Sequence, residues 1–301
     1  MKSLYEEYTG DCEAGSHVYG KPASYSHFCE TFNVESNSMK VRLTRDSGSF
    51  VVCPCCNSYK LSLRRARTLR ESARIKYFRT KHLQKQRAQR EKYYKHRRKA
   101  IQNPKKYLSI IIDRMDQKKT NCPNLGGQTT KDEAPLKTRI IGVKVHGIRN
   151  YAYIADETVP GGGNLILEVL RLTLNDLQNR EELPSEDPVL YLQIDNCGEN
   201  KNKVMFSFLT DLVRRGIFSK VKAGFLMVGH THEDIDQLFS TIAHYFKAYK
   251  TCCADPESLA EEIRNAFTDA KHKPTMVLLH PKQIFDYKKL YAAVLDPKIK
   301  Q

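Results

Sequence analysis

From residue 107 onward, short apolar β-branched runs alternate with stretches of helical period. That alternation restricts the fold more than any other feature of the chain. YLSIIID (107–113) reads as a buried strand, and RIIGVKVHGIRNYAYIADE (139–157) as two strands around a turn near Gly147. After the chain breaker GGG (161–163), NLILEVLRLTLNDLQN has the pattern of an amphipathic helix. PVLYLQID (188–195) is another buried strand, and KVMFSFLTDLVRRGI a helix stopped at Gly216. VKAGFLMVG is a strand and EDIDQLFSTIAHYFKAY a helix. A helix over 257–271, the strand-like TMVLL and a short tail complete the chain. Strands interleaved with helices predict an α/β sheet covered on its faces, with chemistry gathered where strands end.

The positive charge is equally uneven. The chain has 50 Lys+Arg against 34 Asp+Glu, yet residues 60–106 alone hold 19 basic and 2 acidic residues. This segment carries +17 and the remainder is close to neutral. Residues 60–103 lack Pro and Gly and are rich in Arg, Lys, Gln, Ala and Leu, which predicts one long helix or two, ending before Pro104. Leu61, Leu69, Ala73, Leu83 and Tyr94 make only a weak apolar stripe. The arm is therefore expected to be exposed over much of its surface, and removable without unfolding the rest. So local a positive excess is the footprint of a polyanion site. Arg64, Arg65, Arg67, Arg87, Arg90, Lys95, Arg97, Arg98 and Lys99 are the expected contacts to DNA, with RNA remaining open. Tyr77, Phe78, Tyr93 and Tyr94 offer rings for stacking on bases or for packing.

Residues 1–59 read as a small mixed region, with a short helix in SYSHFCETFNV capped by Ser24 or Ser26. MKSLYEEYTGD begins like a helix already under way, as in a piece of a longer protein. Nine cysteines, with no signal peptide or apolar run near 18 residues, point to a reduced intracellular chain without a membrane partner. Cys53 and Cys56 form a C-x-x-C pair with Cys55 between them. The pair is either half of a structural zinc site, completed among Cys12, His17, His27 and Cys29, or two buried thiols.

Two apolar strands end in Asp113 and Asp195, and Glu233, Asp234 and Asp236 follow the last strand. Carboxylates are hard oxygen ligands suited to Mg²⁺ or Mn²⁺. Three converging on a sheet edge can hold two ions about 4 Å apart for phosphodiester chemistry. Asp116 lies beyond its apolar run, in the loop. Thr231 and Asp234 have capping-box spacing, which gives Asp234 a structural job. On a helical wheel Asp236 sits at the rim of the buried stripe Ile235, Leu238, Phe239, Ile242 and Phe246, with Glu233 nearly opposite. Both remain candidates for the third acid.

This strand order, with these acids, resembles the ribonuclease-H-like fold of DDE/D transposases and retroviral integrases. In that family the first Asp lies on the first strand, the second follows the fourth, and a Glu or Asp opens the helix after the fifth. Asp113 and Asp195 fall into those places. The resemblance assigns the third to Glu233, 38 residues beyond Asp195 and two before Ile235, with Asp236 as the alternative. DNCGEN (195–200), with Asn196 and Glu199, is similar to the D-N-G-x-E style after the second Asp, and His230 and His232 would flank the site. YLSIIID, LQIDN and VGHTHEDIDQLFS are also similar to a group of transposon-derived eukaryotic proteins, over roughly 107–247.

The resemblance implies a mixed sheet flanked by helices and a two-ion Mg²⁺ or Mn²⁺ centre. It implies DNA strand cleavage and transfer in the nucleus, compatible with a homo-oligomer. The alternative is a domesticated, inactive DNA-binding protein on the same fold. Arg114 stands where many of that group have Gly, and its cation can pair with Asp113 in place of metal. The implied organisation is a Cys-containing region (1–59), a basic helical arm (60–106), the core (107–250) and a C-terminal extension (251–301). GHTH is also similar to calcineurin-like metallophosphoesterases, and H-x-H-x-D to metallo-β-lactamase hydrolases. The first needs an upstream D-x-H and a G-N-H-[DE], which are missing, and Ile235 stands where the second needs its last histidine.

Overall fold

In the computed structural model the described residues are 22–38, 53–117, 120–125, 136–225 and 234–292, with Met227 and isolated positions before residue 13. The chain divides into two compact units, Met1–Val51 and Val52–Gln301. In the first, helix α1 (Tyr25–Ser38) starts at Ser24, whose Oγ accepts the His27 amide at 3.4 Å. Tyr5 and Tyr8 gather around Phe28, which stacks on Phe32.

The second unit opens with α2 (Pro54–Arg65) and α3 (Leu69–Gln102), so the basic arm is two helices. Ala66 is extended, and Thr68 then caps α3 in a capping box with Glu71, the two devices that stop one helix and start the next. Beyond it come β1 (Tyr107–Arg114), the short β2 (Asn124–Leu125), β3 (Arg139–Val145) and β4 (Arg149–Ala155). Gly147, at φ 84°, makes the predicted turn between β3 and β4. Then follow α4 (Gly163–Asn179), β5 (Val189–Ile194), α5 (Lys203–Arg214), β6 (Lys220–Phe225) and α6 (Asp234–Tyr249). The last elements are β7 (Cys252–Cys253), α7 (Pro256–Asn265), β8 (Thr275–Leu278) and α8 (Tyr287–Leu290). The helix expected over 257–271 thus ends at Asn265, short of its predicted length.

Six strands form one mixed sheet in the order β6-β5-β1-β3-β4-β8, while β2 pairs with β7. The meander β1-β3-β4 is antiparallel, and β5 and β6 add in parallel on the far side of β1. A three-stranded meander, a crossover helix and two parallel strands beside the first is the ribonuclease-H-like connectivity. β8 extends the sheet in parallel at the β4 edge.

Alternation along the strands splits the core in two. Ile110 and Ile112 belong to the cluster under α4 and α5, with Leu165, Leu170, Met205 and Leu209. Ile111 faces the other way, into a cluster with Ile235, Phe239 and Ile242 of α6 and Tyr93 of α3. Helices therefore cover both faces, as the sequence pattern predicts. No helix among the described residues is long and apolar enough to cross a membrane.

Candidate functional site

Strand register creates the site. β1 and β5 run parallel with Ile112 opposite Ile194, so Asp113 and Asp195 occupy the next rung, at the strand ends. Adjacent strands lie about 4.8 Å apart, which makes the two backbones immediate neighbours there. Asp113 shares the sheet face of Ile111, the face covered by α6. On the other side of β1 its partner is Gly142, where a Cβ would lie 2.7 Å from the Phe239 ring. A side chain at Gly142 would have to displace that ring. Asp236 stands three residues before Phe239, near enough to add its charge to that of Asp195 at Asp113.

The electrostatics are those of crowded acids. Burial pushes the Asp113 carboxyl up to about 7, with Asp236 and Asp195 adding repulsion, against the opposing backbone bond from Arg114. The Arg114 amide donates to Asp113 Oδ1 at 2.8 Å. Its guanidinium turns elsewhere, to Glu199 Oε2 at 3.0 Å and the Gly162 carbonyl at 3.4 Å. The ion pair expected between Arg114 and Asp113 is thus made with Glu199 instead. Asp195 Oδ1 accepts the Asn196 amide at 2.7 Å, and Asn200 Nδ2 donates to the Asp195 carbonyl at 3.3 Å. Asn200 is buried, and its Oδ1 has no hydrogen-bond partner. This inward, unsatisfied oxygen beside Asp195 was not singled out from the sequence, although it lies in the DNCGEN run.

Three carboxylates with a spare amide oxygen are the donor set that hard divalent ions take, so the residues fit Mg²⁺ or Mn²⁺. The ligand atoms of the three acids do not all come within 4.8 Å of one another, as those of one other cluster, Cys53, Cys56 and His82, do. Glu233, His230, His232 and Thr231 lie outside the described residues, and so does His17. Of the two candidates for the third acid, Asp236 lies among the described residues.

Asp234 has a different fate. It is buried, and its carboxylate accepts a short bond from the Tyr93 hydroxyl. His146 Nε2 lies 3.1 Å from its Oδ2, and Arg97 Nε 3.5 Å away. Lys144 Nζ donates to its carbonyl at 3.3 Å, while His146 Nδ1 lies 2.9 Å from Ser109 Oγ. Burial raises the Asp234 carboxyl, but the bonds and charge of His146, then Tyr93 and Lys144, outweigh it and hold it down at about 2. This buried polar knot fastens α3 to the first residue of α6, two positions before Asp236.

The basic arm divides at that knot. Between residues 54 and 92 no side chain is buried, whereas Tyr93 and Ala100 are. Arg64, Arg65, Arg67, Arg87, Lys95 and Arg98 are exposed; Arg90, Arg97 and Lys99 are half-buried, with Arg97 turned to Asp234 and Lys99 set over the Tyr107 ring. Of the four aromatic candidates, Tyr77 and Phe78 remain exposed, and Tyr93 packs. Between α3 and the β5–β6 edge lies a cleft of about 300 Å³, lined by Lys92, His96, Tyr191, Asn196, Lys201 and Lys222 among others. His96 stacks flat on Tyr191 at 3.8 Å. Burial, then the neighbouring lysines, hold the His96 imidazole down at about 4, so it is neutral at pH 7.

The family model described as "Domain of unknown function (DUF7869)" matches residues 128–301, which takes in Asp195 and Asp236 but not Asp113. No curated protein gives a significant match. Among solved structures, the chain is similar to Mos1 transposase in a paired-end complex with the left transposon end. The TM-score is 0.39 at 10% identity, over 91% of this chain and 88% of that one. A Mos1 strand transfer complex gives 0.32 at 10% identity, over 94% and 90%. The fold assignment rests on strand connectivity, not on these superpositions.

Proposed function

The chain belongs to the family described as Domain of unknown function (DUF7869), and we propose that it is a transposase- or integrase-type DNA-binding protein with a divalent-metal-dependent strand-cleaving centre. One observation carries the reading. The rung that sets Asp113 beside Asp195 faces α6 with Asp236, and the helix bearing the positive charge is fastened two residues away.

Asp113, Asp195 and Asp236 would hold Mg²⁺ or Mn²⁺, whose chemistry is to activate an attacking oxygen and steady a leaving one. The Asn196 amide orients Asp195. Glu199 takes up the Arg114 guanidinium and so keeps it from Asp113. The cleft beside Asn196, with Lys92, Lys201 and Lys222 around stacked rings, suits a phosphate backbone led toward the acids. Exposed arginines of α2 and α3 would contribute the sequence-independent part of binding.

Labelled duplex DNA incubated with the purified chain and Mg²⁺ or Mn²⁺ tests the centre. Nicking should appear, and Asp195→Asn should abolish it while sparing binding. The reading of a binder that does not cut draws on Arg114, whose charge also acts on Asp113. Binding without nicking in either ion would establish it.

A further inference from the structure

We propose that Cys53, Cys56 and His82 form a structural zinc site that staples the basic helical hairpin. Their ligand atoms all lie within 4.8 Å of one another, and they are the sole such His/Cys/Asp/Glu set among the described residues. Cys53 is the N-cap of α2, Pro54 follows it, and Cys56 comes one turn on, so both thiols project from the same end of the helix. His82 reaches them from the middle of α3, with Nε2 3.5 Å from Cys53 Sγ. Tetrahedral zinc with bonds of about 2.3 Å to sulfur and 2.05 Å to nitrogen sets those two ligands about 3.6 Å apart. The gap already matches. None of the three cysteines of the CPCC run is tied up in a disulfide.

A second observation points the same way. From residue 53 to 92 the one buried side chain is Cys53 itself. α2 buries nothing, so no apolar core holds it against α3. Tyr59 adds an edge contact to the His82 ring. Elements too small and polar to make a core are commonly held by metal. Two thiolates and a neutral imidazole balance the charge of Zn²⁺ and supply three of its four ligands. The site lies apart from the acids and does not depend on whether they cut DNA. Its role is to fix the relative direction of two helices rich in arginine, so that their charges act as one surface.

The test uses the full chain purified without chelator. Metal analysis should find about one zinc per chain. Co²⁺ titration should give tetrahedral d–d bands with a thiolate-to-cobalt band, which only cysteine ligation produces. Cys53→Ser and His82→Ala should each weaken zinc binding at least tenfold, and His82→Cys should restore it. Cys55→Ser and Cys252→Ser should leave it intact. A chain folded by circular dichroism that shows neither zinc nor the thiolate–cobalt band would overturn the site. Full zinc retention in His82→Ala would overturn the assignment of His82.

Discussion

Asp113 is asked to carry a charge where burial and two like charges resist it, and its carboxyl responds by rising to about 7. Because this lies above the ordinary carboxylate range, the folded state keeps a proton that the unfolded chain releases. Stability should therefore fall as pH rises from about 4 to about 7. Asp113→Asn removes that loss. In metal-free buffer at pH 8 it should stabilise the chain by ~1–3 kcal/mol, with little effect at pH 4. Mn²⁺ should stabilise the wild type and not the variant. Thermal unfolding at the two pH values, with and without Mn²⁺, measures both, and an unchanged profile would refute the crowded-acid account. Asp234, two residues before Asp236, behaves oppositely. Its carboxyl is held at about 2, so its stabilisation is complete above the ordinary carboxylate range and lost as pH falls toward 2. Tyr93→Phe leaves the ring in place and removes one bond to that buried carboxylate, which should cost ~1–3 kcal/mol in urea unfolding.

At the scale of elements, α3, the longer helix of the arm, is two structures in one. Its first part presents only exposed or half-exposed side chains, while its last turns are built into the core through Tyr93, Ala100 and the Arg97–Asp234 pair. Deleting residues 60–106, which the sequence alone suggests the fold would tolerate, would leave Asp234 and His146 buried without Tyr93. The informative variant is milder. Replacing Arg64, Arg65, Arg67 and Arg87 with Gln should leave the unfolding transition within about 0.5 kcal/mol of wild type. The same variant should flatten the plot of log affinity for duplex DNA against log salt by up to about 0.9 per lost phosphate contact. An unchanged salt slope would place DNA binding elsewhere.

Across the whole molecule, the positive charge and the acids sit on different elements joined by the Asp234 knot, so binding and metal response should separate. The four-arginine variant should lose DNA affinity and keep stabilisation by Mn²⁺. Asp195→Asn, which preserves shape, should lose the Mn²⁺ stabilisation and keep affinity. Thermal shift and fluorescence anisotropy on the same two proteins decide the matter. If either change abolished both responses, the two functions would share one site.

Periodicity and charge are local properties, so the sequence by itself determined the strands, most helix positions, the +17 arm and the two aspartates at strand ends. For the third acid it left two candidates, Glu233 and Asp236, on nearly opposite sides of the helical wheel. What remained hidden depends on distance. Tyr93 and Asp234 are 141 residues apart, Cys53 and His82 are 29 apart, and no spacing rule links either pair. Gly142 shows a purpose only once Phe239 lies against it. Tertiary structure alone decided these, because a buried hydrogen bond, a ligand cluster or a close approach exists only after helices from distant parts of the chain have packed on the sheet.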